Sequence, residues 1–313
     1  MNSEGFLLDI TTKATLLRSL AGHDFDWSTA TEGQLLFLGM GSSHFANDTI
    51  VRLLNRHQLT SRALLASAAE LPRLDESSTV VAVSAGGTSV ETLSALRSVP
   101  GDVSTIALTN SAQSPISQMA DRSIDLRAGV EAGGVASLTY LASLVALLQL
   151  VDVRTGSTYC SSITRAADAI EDIVARESEW MDQLREHAIG AATTYFVAPL
   201  ERLTSAQQSA LMLREGPRFA AAAAETGDWS HIDVYLTKTY DYRLVLFAGS
   251  AWEQQLQDWT TQRNSTLISI GAELDSAKVN LRYVHDEDPI VRLLAETTFA
   301  ELLAARMWLA QSN

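Results

Sequence analysis

The segment Leu35-Leu-Phe-Leu-Gly-Met-Gly-Ser-Ser-His44 decides the fold, because a short apolar run passes directly into a loop of glycine and serine. The same succession recurs at residues 80–89, where Val-Val-Ala-Val is followed by Ser-Ala-Gly-Gly-Thr-Ser. Short apolar runs without alternating polar residues are typical of strands that are buried on both faces of a parallel sheet. The two segments therefore predict strands of one parallel α/β sheet.

Further apolar runs lie on both sides of these two strands. Residues 63–65 and 103–108 are predicted as strands of the same sheet, and apolar side chains at helical spacing predict a leading helix at 6–20. The segment 135–151, VASLTYLASLVALLQLV, is apolar nearly all round. It is predicted to be a helix that is buried in the first domain or against a partner chain.

A second series of elements follows a charged helical stretch at 161–187. We predict strands at 195–198, 244–248 and 266–270, and helices at 205–215, 252–263 and 289–309; the alanine run at 220–224 is also interpreted as helix. The order resembles that of the first series. The sequence therefore predicts two doubly wound, three-layer α/β/α domains, at residues 1–158 (with the leading helix) and 159–313 (with a linker helix).

The composition excludes several classes of function. The chain has 313 residues, of which 46% are apolar, and its 23 basic residues against 37 acidic ones give a net charge of -14. This charge argues against binding to nucleic acid or to an anionic membrane. No apolar run reaches the roughly 20 residues of a membrane span, and the first residues lack the features of a signal peptide. We therefore expect a soluble cytoplasmic protein, and its single cysteine, Cys160, forms no internal disulfide.

The loops after the first and third strands are predicted to bind an anion. Ligands of parallel sheets sit at the carboxyl ends of the strands, where helix N-termini present free N–H groups. Both loops place glycines and small hydroxyl residues there, which suits a phosphate. The alternative is that these serines and threonines only cap the helices that follow.

A dinucleotide site fits less well. Gly39-Met-Gly41 begins like G-x-G-x-x-G, but His44 occupies the third glycine position, and the second strand ends without an acidic residue for a ribose. Complete P-loop, zinc-hydrolase and serine-hydrolase motifs are absent from the sequence. We therefore expect no cofactor and no metal.

Three motifs together resemble the sugar isomerase (SIS) domain. They are G-x-G-S-S at 39–43, S-x-G-G-T-S-x-E-T at 84–92, and a glycine-rich third loop, A-G-V-E-A-G-G-V-A-S at 128–137, before the long apolar helix. The tandem arrangement is similar to the isomerase half of glucosamine-6-phosphate synthase and to its stand-alone phosphosugar isomerase and deglycase relatives. The resemblance implies that sugar phosphate is held by the following residues: Ser42, Ser43, Ser84, Gly86, Gly87, Thr88, Ser89, Val135, Ala136 and Ser137.

The resemblance also implies two catalytic residues in the second domain. Glu215 falls on the family's general base, and His231, 16 positions later, falls on its ring-opening histidine. The sequence departs from the family in the loop at 84–89, which lacks a glutamine and a serine, and in the third loop, which carries one extra glycine. The family's catalytic lysine in a C-terminal tail has no counterpart, since no lysine follows Lys278.

The implied function is isomerisation of a sugar phosphate or amino-sugar phosphate by proton transfer through an enediol. No glutaminase activity is expected. The alternatives are a protein that binds or senses sugar phosphates without catalysis and a deglycase of the fructosamine-6-phosphate type. A homodimer is expected because SIS proteins of this type usually pair, with His231 coming from across the interface, and because the helix at 135–151 is so apolar.

Overall fold

The chain contains two five-stranded parallel sheets, described here from a computed structural model over residues 1–312. The elements of the first half are α1 (Ser3–Leu20), β1 (Leu35–Gly39), α2 (Ser42–Arg56), β2 (Ser61–Leu65), β3 (Thr79–Val83), α3 (Val90–Arg97), β4 (Ser104–Thr109), α4 (Pro115–Met119), β5 (Arg122–Asp125) and α5 (Leu138–Thr155).

The second half has a similar alternation of strands and helices. Its elements are α6 (Ile163–Ala175), α7 (Glu177–Ala188), β6 (Thr194–Ala198), α8 (Leu203–Glu215), β7 (Ala221–Glu225), α9 (Thr226–Trp229), β8 (Arg243–Phe247), α10 (Glu253–Gln262), β9 (Thr266–Ile270), β10 (Val279–Leu281), α11 (Pro289–Ala295) and α12 (Thr297–Ser312). Short 3₁₀ helices lie at Tyr159–Ser162, Leu200–Arg202 and Asp233–Lys238.

Both sheets have the same strand order. The first is β2-β1-β3-β4-β5, and the second, read in the same direction, is β7-β6-β8-β9-β10. Every neighbouring pair of strands is parallel. This arrangement confirms the predicted fold class, two doubly wound parallel sheets with flanking helices.

The central strands were predictable because nearly all of their residues are apolar. All five residues of β1, β3 and β6 are buried, which accounts for their unbroken apolar runs. Of the four edge strands, β5 and β10 are short and partly polar, with exposed residues in each, and the sequence did not predict them. An edge strand buries less side-chain surface, so its pattern is weaker.

The helix predicted at 220–224 is wrong, because these alanines form most of strand β7. Each residue of β7 pairs in parallel register with β6, from Thr194 opposite Ala221 to Ala198 opposite Glu225. Alanine favours the helix by less than about 1 kcal/mol per residue over most other residues, and tertiary context routinely overrides this preference. Here the pairing with β6 decides the conformation.

The described residues fall into two compact units, which we name by their sheets. The N-terminal-sheet unit comprises Leu16–Glu131 and Ala136–Ile163, and the C-terminal-sheet unit comprises Met1–Thr15, Ala132–Val135 and the residues from Thr164 onward. Most of α1 therefore groups with the second sheet. The sequence-based boundary between residues 158 and 159 stays a prediction.

Helix α5 is the core helix of the N-terminal-sheet unit. It is the one described helix that is long and apolar enough to cross a membrane, yet 72% of it is buried within the protein. It begins at Leu138, three residues later than predicted, after Gly134 with φ 68°. Because the chain itself covers α5, the apolarity of this helix no longer supports an interface with a second copy.

The C-terminal-sheet unit contains a fully buried ion pair. Lys13 Nζ on α1 lies 2.5 Å from Glu301 Oε2 on α12, and both side chains have no solvent exposure. Thr297 on the same helix lies within 3.5 Å of Lys13 Nζ. The helix predicted at 289–309 is divided into α11 and α12 at Glu296, whose buried carboxylate pairs with Arg202.

Candidate functional site

The candidate site begins at the carboxyl ends of β1 and β3. These strands are neighbours, in register from Leu35 opposite Thr79, and the strand order reverses between them. Such a switch point opens a crevice between the loops that leave the two strands. Ser42 and Ser43, in the first turn of α2, and the loop at 84–89 thus follow the carboxyl ends of two neighbouring strands.

The N-terminus of α2 is open to an anion. Its cap residue, Gly41, has φ 51° and ψ −129° and provides no side-chain cap, and the first turn contains no acidic residue. A side chain at position 41 would meet nothing within 4 Å. The first turn of α2 therefore carries no carboxylate that would offset the positive end of its dipole, and the Ser43 N–H donates to the Met40 carbonyl at 3.1 Å; a helix N-terminus of this kind favours an anion such as phosphate.

The loop after β3 is tightly folded around two of its predicted site residues. Ser84 is 8% exposed, and its N–H donates to the Leu108 carbonyl at 3.0 Å. Gly87 has φ 66°, and a Cβ there would lie 2.1 Å from Ser114 Oγ, so only glycine fits. Gly86 and Thr88 are exposed, so their polar groups can reach a ligand.

Ser89 performs the capping role that was the alternative to phosphate binding. Its hydroxyl oxygen accepts hydrogen bonds from the N–H and the hydroxyl of Thr92, and its hydroxyl proton is donated to Glu91. The backbone N–H of Glu91 itself and the hydroxyl of Ser89 hold the pKa of Glu91 below its ordinary value. In this structure the hydrogen bonds of the Ser89 hydroxyl are thus made to residues of α3.

The third loop is organised by Glu131, which the sequence analysis did not single out. Its carboxylate accepts from the N–H of Ser137 at 2.6 Å, from the N–H of Thr139 at 3.0 Å and from the Thr139 hydroxyl at 3.1 Å. Of the predicted ligand residues here, Val135 and Ser137 are buried and Ala136 is half-buried. The N-terminus of α5 therefore already holds an internal anion.

Two further polar side chains, in the first turns of α2, were also missed. Asn47 is fully buried, and neither its amide nitrogen nor its amide oxygen has a partner among the described residues. His44 Nδ1 is likewise buried without one, and burial lowers the pKa of His44 despite the nearby carboxylate of Asp48. A Cβ at Gly39 would lie 2.9 Å from Asn47 Nδ2, so this glycine lets the amide approach the strand.

Glu215 is the last residue of α8, in the C-terminal-sheet unit. Its half-buried carboxyl has a raised pKa, because burial disfavours the charged form more than the neighbouring Arg214 favours it. Gly216 is the residue that caps the C-terminus of the helix, and its N–H donates to the Met212 carbonyl at 3.1 Å. The helix therefore ends at Glu215, as predicted. A carboxyl with this pKa is suited to take a proton from carbon.

His231 lies in the same unit, after α9. Its side chain is exposed, and its backbone N–H donates to the Asp228 carbonyl at 2.8 Å. Among residues 1–312 no hydrogen bond joins His231 to Glu215. The predicted residues thus form two groups: the phosphate loops in the N-terminal-sheet unit, and the proton-transfer pair in the C-terminal-sheet unit. Across the part of the chain that is described, no cluster of His, Cys, Asp and Glu could hold a metal ion.

Comparison with known proteins identifies the first sheet's family. Residues 30–153 match the SIS domain family. A glutamine–fructose-6-phosphate aminotransferase (isomerizing) from Sulfurisphaera tokodaii is 23% identical over 264 residues, which is 84% of this chain and 44% of that protein. The enzyme of the same name from Halobacterium salinarum is 31% identical over 245 residues, which is 72% of this chain and 39% of that protein. The chain spans less than half the length of these relatives.

The fold comparison extends over both sheets. The C-terminal domain of glucosamine-fructose-6-phosphate aminotransferase from Francisella tularensis has a TM-score of 0.84, with 100% of this chain and 98% of that chain covered at 18% identity. Three observations indicate the same fold family: the strand order, the N-terminus of α2 at the switch point, and the match over 30–153. Residues 30–153 of the chain therefore form a domain of the SIS family.

Proposed function

We propose that the protein is a sugar-phosphate isomerase that acts on a phosphorylated sugar or amino sugar through an enediol. The observation that carries the proposal is the N-terminus of α2, which begins with Ser42 and Ser43 and has no acidic residue in its first turn, together with the hydroxyl-rich loop that leaves the neighbouring strand β3. Phosphate held there contributes binding energy far from the reacting carbons and orients them. The names of the curated relatives, which include fructose 6-phosphate and the word isomerizing, support this substrate class.

The proposed proton-transfer base is Glu215. A carboxylate with a raised pKa is nearer in basicity to the C–H it must deprotonate, and further burial beneath a sugar would raise the pKa again. His231 presents an exposed imidazole, whose two ring nitrogens can pass a proton to and from the ring oxygen during ring opening. Both groups are supplied by the chain, and the mechanism uses no cofactor.

Solvent deuterium exchange tests the assignment directly. Wild-type protein incubated with fructose 6-phosphate or glucosamine 6-phosphate in D₂O should incorporate deuterium at C2 of the aldose or C1 of the ketose. Glu215→Gln should bind the ligand but lose exchange by about a thousandfold or more, since the base is removed. Glu186→Gln, the same change at an exposed position of α7, is the matched control. Unchanged exchange in Glu215→Gln would remove this residue from the mechanism.

The binding alternative has one observation in its favour. The Ser89 hydroxyl caps α3, so the loop at 84–89, which already departs from the family motif, offers fewer free hydroxyls than the resemblance implies. A thermal-shift panel with fructose 6-phosphate, glucosamine 6-phosphate and fructosamine 6-phosphates separates the cases, because each specific ligand raises Tm. Stabilisation without deuterium exchange would favour a binding protein. Release of amine from a fructosamine 6-phosphate would favour a deglycase.

We further propose that two copies form a cytoplasmic homodimer in which His231 serves the site of the partner. The proposal now rests on the resemblance alone, since α5 is buried inside its own chain. The charge of -14 speaks against nucleic-acid and membrane partners. Light scattering that gives the monomer mass of 33.9 kDa at micromolar concentration would contradict the dimer.

A further inference from the structure

The N-terminal helix holds the third loop through a buried carboxylate. Asp9 on α1 is 2% exposed. One of its oxygens accepts from the N–H of Ala132 at 2.9 Å, and the other accepts from the N–H of Gly133 at 2.8 Å. Within residues 1–312 Asp9 has no cationic partner, so these two amides balance the buried charge. Such a carboxylate fixes the backbone that binds it, since moving away would leave it unpaired.

The backbones of helix and loop are also in direct contact. A Cβ at Gly133 would lie 2.5 Å from Phe6 Cα, and a Cβ at Gly5 would lie 2.5 Å from the carbonyl carbon of Ala132. The N–H of Asn2 donates to the Gly133 carbonyl at 3.0 Å. The extra glycine of the third loop therefore has a structural reason, because only glycine permits this approach.

Both ends of the loop are held by carboxylates. Glu131 binds the N-terminus of α5, as described above, and Asp9 binds the two residues that immediately follow Glu131. Lys13, one turn beyond Asp9 on α1, is itself fixed by its buried pair with Glu301. The segment from Val135 to Ser137 lies between the two attachments and has little freedom to move.

We propose that Asp9 is a positioning residue for the sugar end of the ligand. It acts through Ala132 and Gly133 on the segment 135–137, which the resemblance to the SIS domain assigns to the bound sugar phosphate. The inference rests on that proposed function. The phosphate lies on the first two loops, which Asp9 does not touch, so Asp9 affects recognition of the sugar and leaves recognition of the phosphate unchanged.

Titration calorimetry with two ligands tests the inference. Asp9→Asn keeps the shape but replaces one charge-assisted acceptor by a donor. It should weaken fructose 6-phosphate binding by about tenfold, the scale of a hydrogen bond to a charged group, and leave inorganic phosphate binding within about twofold. Glu4→Gln, the same kind of change at an exposed position of α1, is the matched control. Equal weakening of both ligands, or of neither, would overturn the positioning role.

Amide hydrogen exchange of the peptide covering 130–139 separates this inference from the proposed function. Asp9→Asn should speed exchange there relative to Glu4→Gln, whether or not a ligand binds. Wild-type protein that binds neither ligand would refute the proposed function and the ligand role of Asp9 together. Binding that is normal in the wild type, with unchanged exchange in Asp9→Asn, would refute the inference alone. Asp9→Glu keeps the charge; should Asp9→Asn fail to fold, Asp9→Glu must weaken fructose 6-phosphate binding selectively, or the inference fails.

Discussion

Replacing Glu131 by alanine should destabilise the N-terminal-sheet unit more than a substitution at an exposed position does. The carboxylate accepts three hydrogen bonds, two from backbone N–H groups and one from the Thr139 hydroxyl. Ser137 is fully buried and Thr139 is 4% exposed, so their N–H groups have little access to water once the acceptor is gone. The cavity left by the side chain adds to this loss.

The expected magnitude follows from these groups. Each buried donor left without an acceptor costs about 1–3 kcal/mol, so the two amides give roughly 2–6 kcal/mol for Glu131→Ala. Glu131→Gln keeps an acceptor oxygen but removes the charge at the N-terminus of α5, which is worth about 1 kcal/mol. For a unit of this size, 1 kcal/mol corresponds to about 2–4 °C in Tm. Alanine should therefore lower Tm by about 10 °C, and glutamine by about 3 °C.

Thermal unfolding followed by circular dichroism measures both changes. Glu76→Ala, in the exposed loop before β3, is the control and should change stability by less than about 0.5 kcal/mol. Amide exchange in the first turn of α5 should rise in Glu131→Ala. If Glu131→Ala unfolds at the same temperature as Glu76→Ala, the hydrogen bonds of Glu131 do not hold the loop.

Three further predictions concern single side chains. Ser84→Ala should weaken sugar-phosphate binding by about 1–2 kcal/mol in calorimetry, and unchanged affinity would remove Ser84 from the site. Burial, with Asp152 beside it, raises the pKa of Cys160 to about 12, so a disulfide reagent at pH 8 should react more than about a hundredfold slower than with free cysteine; rapid labelling would contradict this. Because the pKa of Glu215 is raised in the folded state, its ionisation costs stability that the protein retains below about pH 4, the unfolded value. Glu215→Gln should therefore exceed the wild type in urea midpoint at pH 7 but not at pH 4, and equal midpoints at both would refute the linkage.

The sequence predicted those strands and loops whose residue types reflect burial in the sheet or a tight turn. The strands β1, β3, β6, β8 and β9 are apolar because they are buried on both faces, and the loops after β1 and β3 are recognisable because glycines and hydroxyls cluster there. Strand β7 was not predicted, since its four alanines show no residue pattern that is typical of a strand. There the neighbouring strand determines the conformation, and no local pattern reports it.

The candidate site was predictable only where its residues belong to a recognisable motif. Gly41 and Gly87 were visible as parts of motifs, and both have the positive φ that glycine permits. Glu131 was missed although a local signal exists, an acidic residue six positions before a buried serine at the start of a helix. Asp9 could not have been found in this way, because its partners lie 123 and 124 positions away and no spacing rule connects them.

The buried pair of Lys13 and Glu301 has a consequence for the order in which the two units fold during synthesis. The two residues are 288 positions apart, so the lysine leaves the ribosome long before its carboxylate is synthesised. The N-terminal-sheet unit needs only residues up to Ile163 and can close while translation continues. The C-terminal-sheet unit must wait for α12, and Lys13 on α1 has no counterion until then. A chain that stops before residue 301 would keep its first sheet but leave a lysine with no counterion where the second unit should form.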